Sequence, residues 1–407
     1  IVINGDAMLV GEDGATVVNV SAEKEGFYVR DAHNLIVKGL TFVGGLCQIR
    51  LWTRNRDNSY LHVADCVFRE CRGTSVCSVS YKESEARPSK PIETAYGEVR
   101  GVPYNNSTLM IVERCRFEGN VATLDSKNER QGGAVYASSV GHLTVEDSDF
   151  IANGLSLSVA TSSGPANEGL GGAALCIHGT PCEIRRCEFR GNASRAHDRD
   201  ECGGTVLLYN NCDGSVIEDC LFAGNQCLRS NWGQMTSGAV YVNLANAVRS
   251  VTIRGCTFAY NLGIPASVPS GLYVYSGKAQ VVDSVFYGNI VQNANVVAQD
   301  LATGVNGTID ISHSMLTVNG PASFSGTVSR GEGMLYGDPL FATTAEVFAS
   351  CRTLTGGHYY YTAASAPTLL AADVHEPEDS PALDTGDPQS PYRNEPKPNG
   401  HHVNMGR

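Results

Sequence analysis

Side chains able to exchange protons or hold a metal are densest in the stretch SRAHDRDE at 194–201, where His197, Asp198, Asp200 and Glu201 could act as acid, base or ligand. A second set recurs at one offset: Arg116, Asp149 and Glu188 each stand one residue before a phenylalanine. A third lies near the C-terminus, where Asp384, Asp387, Asn394 and Glu395, with Asn399 and Asn404, offer the hard oxygen donors of a calcium site. Their spacing matches no EF-hand loop, and Asx residues among Pro and Gly build turns without a metal. For each set the plain reading stands beside the chemical one. The 194–201 stretch reads as a solvated surface loop, the charges beside the phenylalanines as pairs between neighbouring strands, and the C-terminal acids as turn formers.

What positions these groups is a repeat. Phe42, Phe68, Phe117, Phe150, Phe189, Phe222, Phe258, Phe286 and, as a substitute, Leu316 recur at spacings of roughly 26 to 49 residues, which indicates a solenoid, a propeller or an array. Five residues before each stands Val or Ile, from Val37 to Ile311, which is strand chemistry. Two before it stand Leu40, Cys66, Cys115, Ser148, Cys187, Cys220, Cys256, Ser284 and Ser314. Alternation of period two breaks once between those positions, at Gly39, Asp65, Asp147, Asp219, Gly255 and Asp283, so two short strands meet at a tight bend. Three residues after the aromatic come Asn120, Asn153, Asn192, Asn225, Asn261, Asn289 and Asn319, a column suited to stacked side-chain amides. A Gly-Gly-Ala-aliphatic phrase, as at Gly132, Gly171 and Gly203, precedes each aromatic at a near-constant distance, so variation in length falls between Asn and Gly.

Identical offsets superimpose when coils stack, and loops of any length can then leave from one edge. The expected fold is all-β: a right-handed single-stranded parallel β-helix of about nine to ten coils over residues 1–345, with a long insertion near 72–107. An irregular Pro- and Asx-rich tract over 346–407 is expected to cap the open end. Four-stranded propeller blades fit the period less well, because only about three short strands fit each unit.

The Phe-x-x-Asn and Gly-Gly-Ala-aliphatic phrases resemble the repeats of chlamydial polymorphic membrane proteins and of autotransporter-like and secreted bacterial β-helix proteins, over roughly residues 26 to 320. The tract containing Asp338-Pro339-Leu340-Phe341 and Ser380-Pro381-Ala382-Leu383-Asp384 resembles the closing segment of secreted β-helix proteins with a variable cell-surface anchor. These resemblances imply cell-surface or extracellular exposure, often with adhesion, and a glycan or cell-surface ligand as partner. Polysaccharide-cleaving enzymes share the fold, so a lyase or glycoside hydrolase working beside the 72–107 insertion is the alternative. The adjacent aspartates and the Gly-His-Gly phrase of polygalacturonase-like sites, and the Trp-x-Asp-His phrase of pectate-lyase-like ones, do not occur.

A net charge of −12 with scattered basic residues argues against a nucleic-acid partner. No apolar run reaches the roughly 18 residues of a membrane span, so no membrane insertion is expected. No cofactor is expected apart from a structural calcium. The chain opens at Ile1 without Met or a signal segment and stops at Arg407, as expected of a processed protein or an excised region. Of its 14 cysteines, five share the inward column, where stacked thiols pack better than they bridge. The others could include disulfides.

Overall fold

The computed structural model describes residues 1–407 apart from 13–15, 23, 31–33, 55–58, 82–91, 95–96, 100–107, 123–132, 156–171, 197–202, 230–236, 265–268, 292–296, 321–323, 356–357, 362–364, 376, 392–402 and 407. The chain is a parallel β-helix. A typical coil has a leading strand such as Val135–Ser138 and a second such as His142–Glu146. A third such as Asp149–Ile151 and a short fourth such as Gly154–Leu155 complete it. Each strand pairs in parallel with its counterparts one coil before and after. The exceptions are antiparallel hairpins at Ile92–Thr94 with Gly97–Val99, Ile290–Val291 with Val297–Ala298, and Arg352–Thr355 with His358–Tyr361.

The third strands form an eleven-stranded sheet, one coil more at each end than the phenylalanine column marks. Val17–Val20 precedes the column and Leu335–Tyr336 follows it.

Two left-handed backbone positions recur along most of the coils, besides others such as Ser139, Gly179 and Asn210 after the leading strand. The first is the bend between second and third strands, at Asp65, Arg114, Asp147, Arg186, Asp219, Asp283 and His313, with glycine at 39 and 255. The second immediately precedes the Asn column, at Gly119, Ala152, Gly191, Gly224, Tyr260 and Gly288. Glycine, Asp and Asn tolerate this region at least cost, which accounts for the recurrent Gly-Asn. The glycine pair before the leading strand answers a different constraint: a Cβ on Gly133 would lie 1.5 Å from the Ala173 carbonyl oxygen of the next coil.

Inside, the columns are ladders. Phe42 through Phe286 stack nearly parallel, with ring centroids 4.4 to 5.2 Å apart, all fully buried. The coil rise of about 4.8 Å imposes this spacing. From Asn153 on, each Asn carbonyl accepts the backbone N–H and side-chain amide of the preceding Asn, that of Asn120 accepts the Cys71 N–H, and each amide also donates to the carbonyl of the phenylalanine one coil earlier. For Asn192 these are Asn153 N at 2.9 Å, Asn153 Nδ2 at 3.1 Å and the Phe150 oxygen at 2.9 Å. The expected seventh member, Asn319, is not in the ladder. It is exposed and accepts from Arg330, while buried Asp300 takes the rung beyond Asn289. Asp300 arrives there from the preceding connection, through a hairpin that a column aligned on the aromatics does not contain.

The thirteen described cysteines are unbridged thiols; Cys202 lies outside the described residues. In the column, thiol and hydroxyl do the same job. Cys187 Sγ donates to the Arg185 carbonyl at 3.2 Å and Ser148 Oγ to that of Glu146 at 2.8 Å, each closing the bend one residue ahead of it.

Two expectations are corrected. Residues 74–81 of the presumed 72–107 insertion are a leading strand, Thr74–Tyr81, paired with Cys47–Arg54 and Val135–Ser138. The insertion is therefore 82–108 and leaves between first and second strands, not from the edge after Asn. Among the described residues the first three coils have no fourth strand: Val17–Val20, Thr41–Gly44 and Val67–Arg69 lead on to Glu25–Arg30, Cys47–Arg54 and Thr74–Tyr81, so there the variable connection sits at another corner.

The described part of the C-terminal tract lies along a flank of the coils. Phe341, Phe348, Tyr361, Leu369, Val374, Ala382 and Met405 lie along the outer flank of the third-strand sheet, against Leu221, Ala223, Ala259, Leu262, Val285 and Met315. Tyr260 stacks on Phe348 at 3.9 Å, Gln226 exchanges two hydrogen bonds with the Tyr361 backbone, and Arg190 donates to the Ala372 carbonyl at 2.7 Å. This strap explains why residues flanking the phenylalanines change from charged to apolar after Arg190: only the later coils are covered.

Candidate functional site

Outward positions of the second strands and their bends form a band of alternating charge along the solenoid. His62 Nε2 lies 2.9 Å from Glu113, and Arg114 holds both Asp65 and Glu113. Further along, Arg186 holds Asp147 and Glu146 at 2.7 Å each. Glu218 is shared by Arg185 at 3.0 Å and Arg254 at 2.6 Å. Parallel stacking places each rung's outward side chain about 4.8 Å from the next, where opposite charges pair and like charges would repel. The Arg114 hydrogen bond holds the Asp65 carboxyl below the usual carboxylate range. Burial works against the charged forms of Glu113 and Glu218, yet their arginines and, for Glu113, His62 still keep both below that range. Glu183 is raised, because burial outweighs its pairing with Arg185.

Arg116, Asp149 and Glu188 do share one outer face, on the third strands. They are engaged there: Arg116 with Glu118 at 3.4 Å and Asp149 at 3.7 Å, and Glu188 with Arg190 at 2.9 Å. Arg190 itself is buried beneath the strap rather than facing solvent. His197, Asp198, Asp200 and Glu201 lie outside the described residues. Their segment follows a fourth strand, Ala193–Ala196, whereas the 82–108 insertion follows a leading strand, so the two leave from different corners of the coil.

Of the calcium candidates, Asn394 and Glu395 lie outside the described residues. Asp384 and Asp387 are turn formers. The Asp384 N–H donates to Asn404 Oδ1 at 2.9 Å, and the Asp387 carboxylate accepts from the Gln389 N–H at 2.8 Å. Among the described residues no three His, Cys, Asp or Glu side chains converge as a metal site would require.

Two features escape a reading based on the aromatic repeat. The first is the His62–Glu113 pair, whose members lie on the rungs flanking the 82–108 insertion; the register of their strands, Ile111 with His62, becomes visible only once the coils are stacked. The second is the outer side of the leading strands. There Tyr136, Cys176, Leu207, Tyr241 and Tyr273 gather in a cluster of their own, separate from the core. A Gly-Gly-Ala-Val-Tyr phrase does carry that signal, in the tyrosine that follows an inward valine.

No protein-family model matches the chain, and no curated protein or solved structure matches it. Among the described residues no helix is long and apolar enough to cross a membrane.

Proposed function

We propose that the chain is a secreted or cell-surface scaffold, adhesin-like or structural, that binds a glycan or a cell surface through its corner connections and the strand faces beside them. It would act in the manner of the bacterial surface β-helix proteins its repeats resemble. The observation that carries this reading is the mutual neutralisation of the charged bands. Arg114 with Asp65, Arg186 with Asp147 and Arg254 with Glu218 pair across adjacent coils, and Arg116 with Glu118 and Arg190 with Glu188 pair along one strand. Such pairing stiffens a stack and leaves recognition to uncharged faces and connections. A glycan array read together with assays for new reducing ends and for unsaturated products tests it: the expected result is binding without cleavage, and either product, or no binding at all, overturns it.

One observation favours the alternative of a polysaccharide lyase or glycoside hydrolase. His62 and Glu113, 2.9 Å apart and half-buried, stand on the rungs flanking the 82–108 insertion, with Arg114 in contact. A histidine oriented by a carboxylate is a competent general base, and long insertions wall clefts. Cleavage that disappears in His62→Ala and Glu113→Gln would establish this reading; cleavage unchanged in both would remove it.

A further inference from the structure

Resting on the glycan-binding reading, we infer that the outer face of the leading strands, at its corner with the second strands, is a binding strip for an uncharged saccharide chain lying along the solenoid axis.

Ser138, His178, Tyr209 and Asn243 occupy the same outward position on four successive coils. On the fifth, a register shift between Val274 and Ser276 inserts Tyr275 as an extra outward ring. His178, Tyr209, Asn243 and Tyr275 are all partly exposed, whereas the neighbouring outward column, with Tyr241 and Tyr273, is buried. The buried column is a floor and the partly exposed one a rim.

The rim is ordered. Asn210, in left-handed backbone just past Tyr209, places its amide 2.6 Å from His178 Nε2, and His178 Nδ1 faces Ser138 Oγ at 3.4 Å. The His178 and Tyr209 rings lie 5.3 Å apart, tilted by 38°. At the far end the strip continues into exposed apolar surface. Val305 lies opposite the Tyr275 bulge, Val248 lies on the corner after Asn243, and both are almost fully solvent-exposed.

The chemistry of the row selects its occupant. Aromatic faces and exposed methyls offer stacking area to the apolar faces of sugar rings, while hydroxyl, amide and imidazole groups offer donors and acceptors at one rung per coil. None of the five residues carries a carboxylate, an ammonium or a guanidinium group. The adjoining second-strand face is, by contrast, a run of ion pairs. Nearby Arg249 and Asp213 are engaged with Asn211 and the Ser250 N–H. An anionic glycan would find no free cation in this row, and a neutral one loses nothing to desolvation of charge.

The test is calorimetric titration of the full chain with neutral hexasaccharides of glucose, xylose, mannose and galactose, with an oligogalacturonate as the anionic probe. The expected result is binding of at least one neutral hexasaccharide and weaker binding of the uronate. Tyr209→Ala and Tyr275→Ala should each weaken the neutral ligand by about tenfold. Tyr209→Phe, which keeps the ring and the fold, should lose far less, and Lys278→Ala on the charged face should change nothing. Neutral binding that survives both alanine variants overturns the strip but leaves the glycan-binding reading intact. Absence of binding to every saccharide overturns both. Preference for the uronate overturns the choice of ligand class, and with it the strip.

Discussion

Asn289 donates its side-chain amide to Asp300 at 3.0 Å, and that contact ends a hydrogen-bonded chain of amides that begins at Asn120. Every amide in the chain donates in the same direction, so its last donor needs an acceptor with nothing further to give. A carboxylate meets that need, and it also takes the Thr317 N–H at 3.0 Å on its other oxygen. An amide in its place accepts on one side only. Asp300→Asn, though isosteric, is therefore expected to cost about 1–3 kcal/mol, because it sets a donor against a buried donor. Asn192→Ala, which strands partners on both neighbouring coils, should cost about 2–4 kcal/mol. Denaturant melts of the two variants check both, and a neutral Asp300→Asn would show that the carboxylate is incidental.

In the column ahead of the phenylalanines, a thiol and a hydroxyl close the bend in the same way, so they should be exchangeable while a methyl is not. Cys187→Ser is expected to stay within about 1 kcal/mol of the parent. Cys187→Val, similar in bulk but without a donor, removes one of two hydrogen bonds to the Arg185 carbonyl, the other coming from the Asp147 N–H, and should cost about 0.5–1.5 kcal/mol. Twelve of the thirteen described thiols are buried; burial pushes Cys71 and Cys212 up to about 11 and Cys77 up to about 12, whereas a hydrogen bond with Cys115 lowers Cys66. Alkylation should thus be slow in the folded chain and complete after unfolding.

The inward columns are legible in the linear chain because a stacked coil forces one residue type to recur at one offset, as Val63, Val112 and Val145 do. The same constraint makes the Phe and Asn ladders readable down to single residues. What the offsets miss is whatever enters from outside the period. Asp300 reaches the Asn rung from a connection, and Thr74–Tyr81 lacks the glycine-pair phrase that marks other leading strands. The strap is hidden for a related reason: its apolar side chains are spread over an aperiodic tract, and their partners Leu221, Ala223 and Val285 look like ordinary variation at outward positions until the flank is seen to be covered. Of the candidate site residues, the columnar Arg116, Asp149 and Glu188 share one face, each in an ion pair that their spacing in the chain does not reveal.

The strap yields its own prediction. Phe348 is 2% exposed and stacks on Tyr260, so Phe348→Ala removes both core volume and a ring contact. The expected cost is about 3–5 kcal/mol, borne by the strap rather than by the coils, whose own ladders are untouched. Calorimetry should then show an early transition with dye binding to the uncovered flank, followed by melting of the solenoid at nearly the parental temperature. A single transition shifted as a whole would instead mean that strap and coils fold as one unit.

His142 should govern stability in mildly acidic solution. It faces outward from a second strand yet is 5% exposed, and among the described residues neither ring nitrogen has a hydrogen-bond partner. Burial, reinforced by the Arg185 guanidinium, pushes its pKa down to about 4, against about 6.5 in the unfolded chain. Between those values the unfolded chain binds the proton and the folded one does not, so stability falls as pH drops from about 6.5 to about 4, by on the order of 3 kcal/mol in total. The paired carboxylates Asp65, Glu113 and Glu218 contribute in a lower window, because their depressed values make stability drain away only as pH falls below the ordinary carboxylate range. His142→Leu separates the two: it should leave the loss below pH 4 in place, flatten the slope between pH 4 and 6.5, and raise the melting temperature at pH 5 by more than at pH 7.5. Parallel melting-temperature curves for the variant and the parent across that interval would show that the buried imidazole does not set the acid limb.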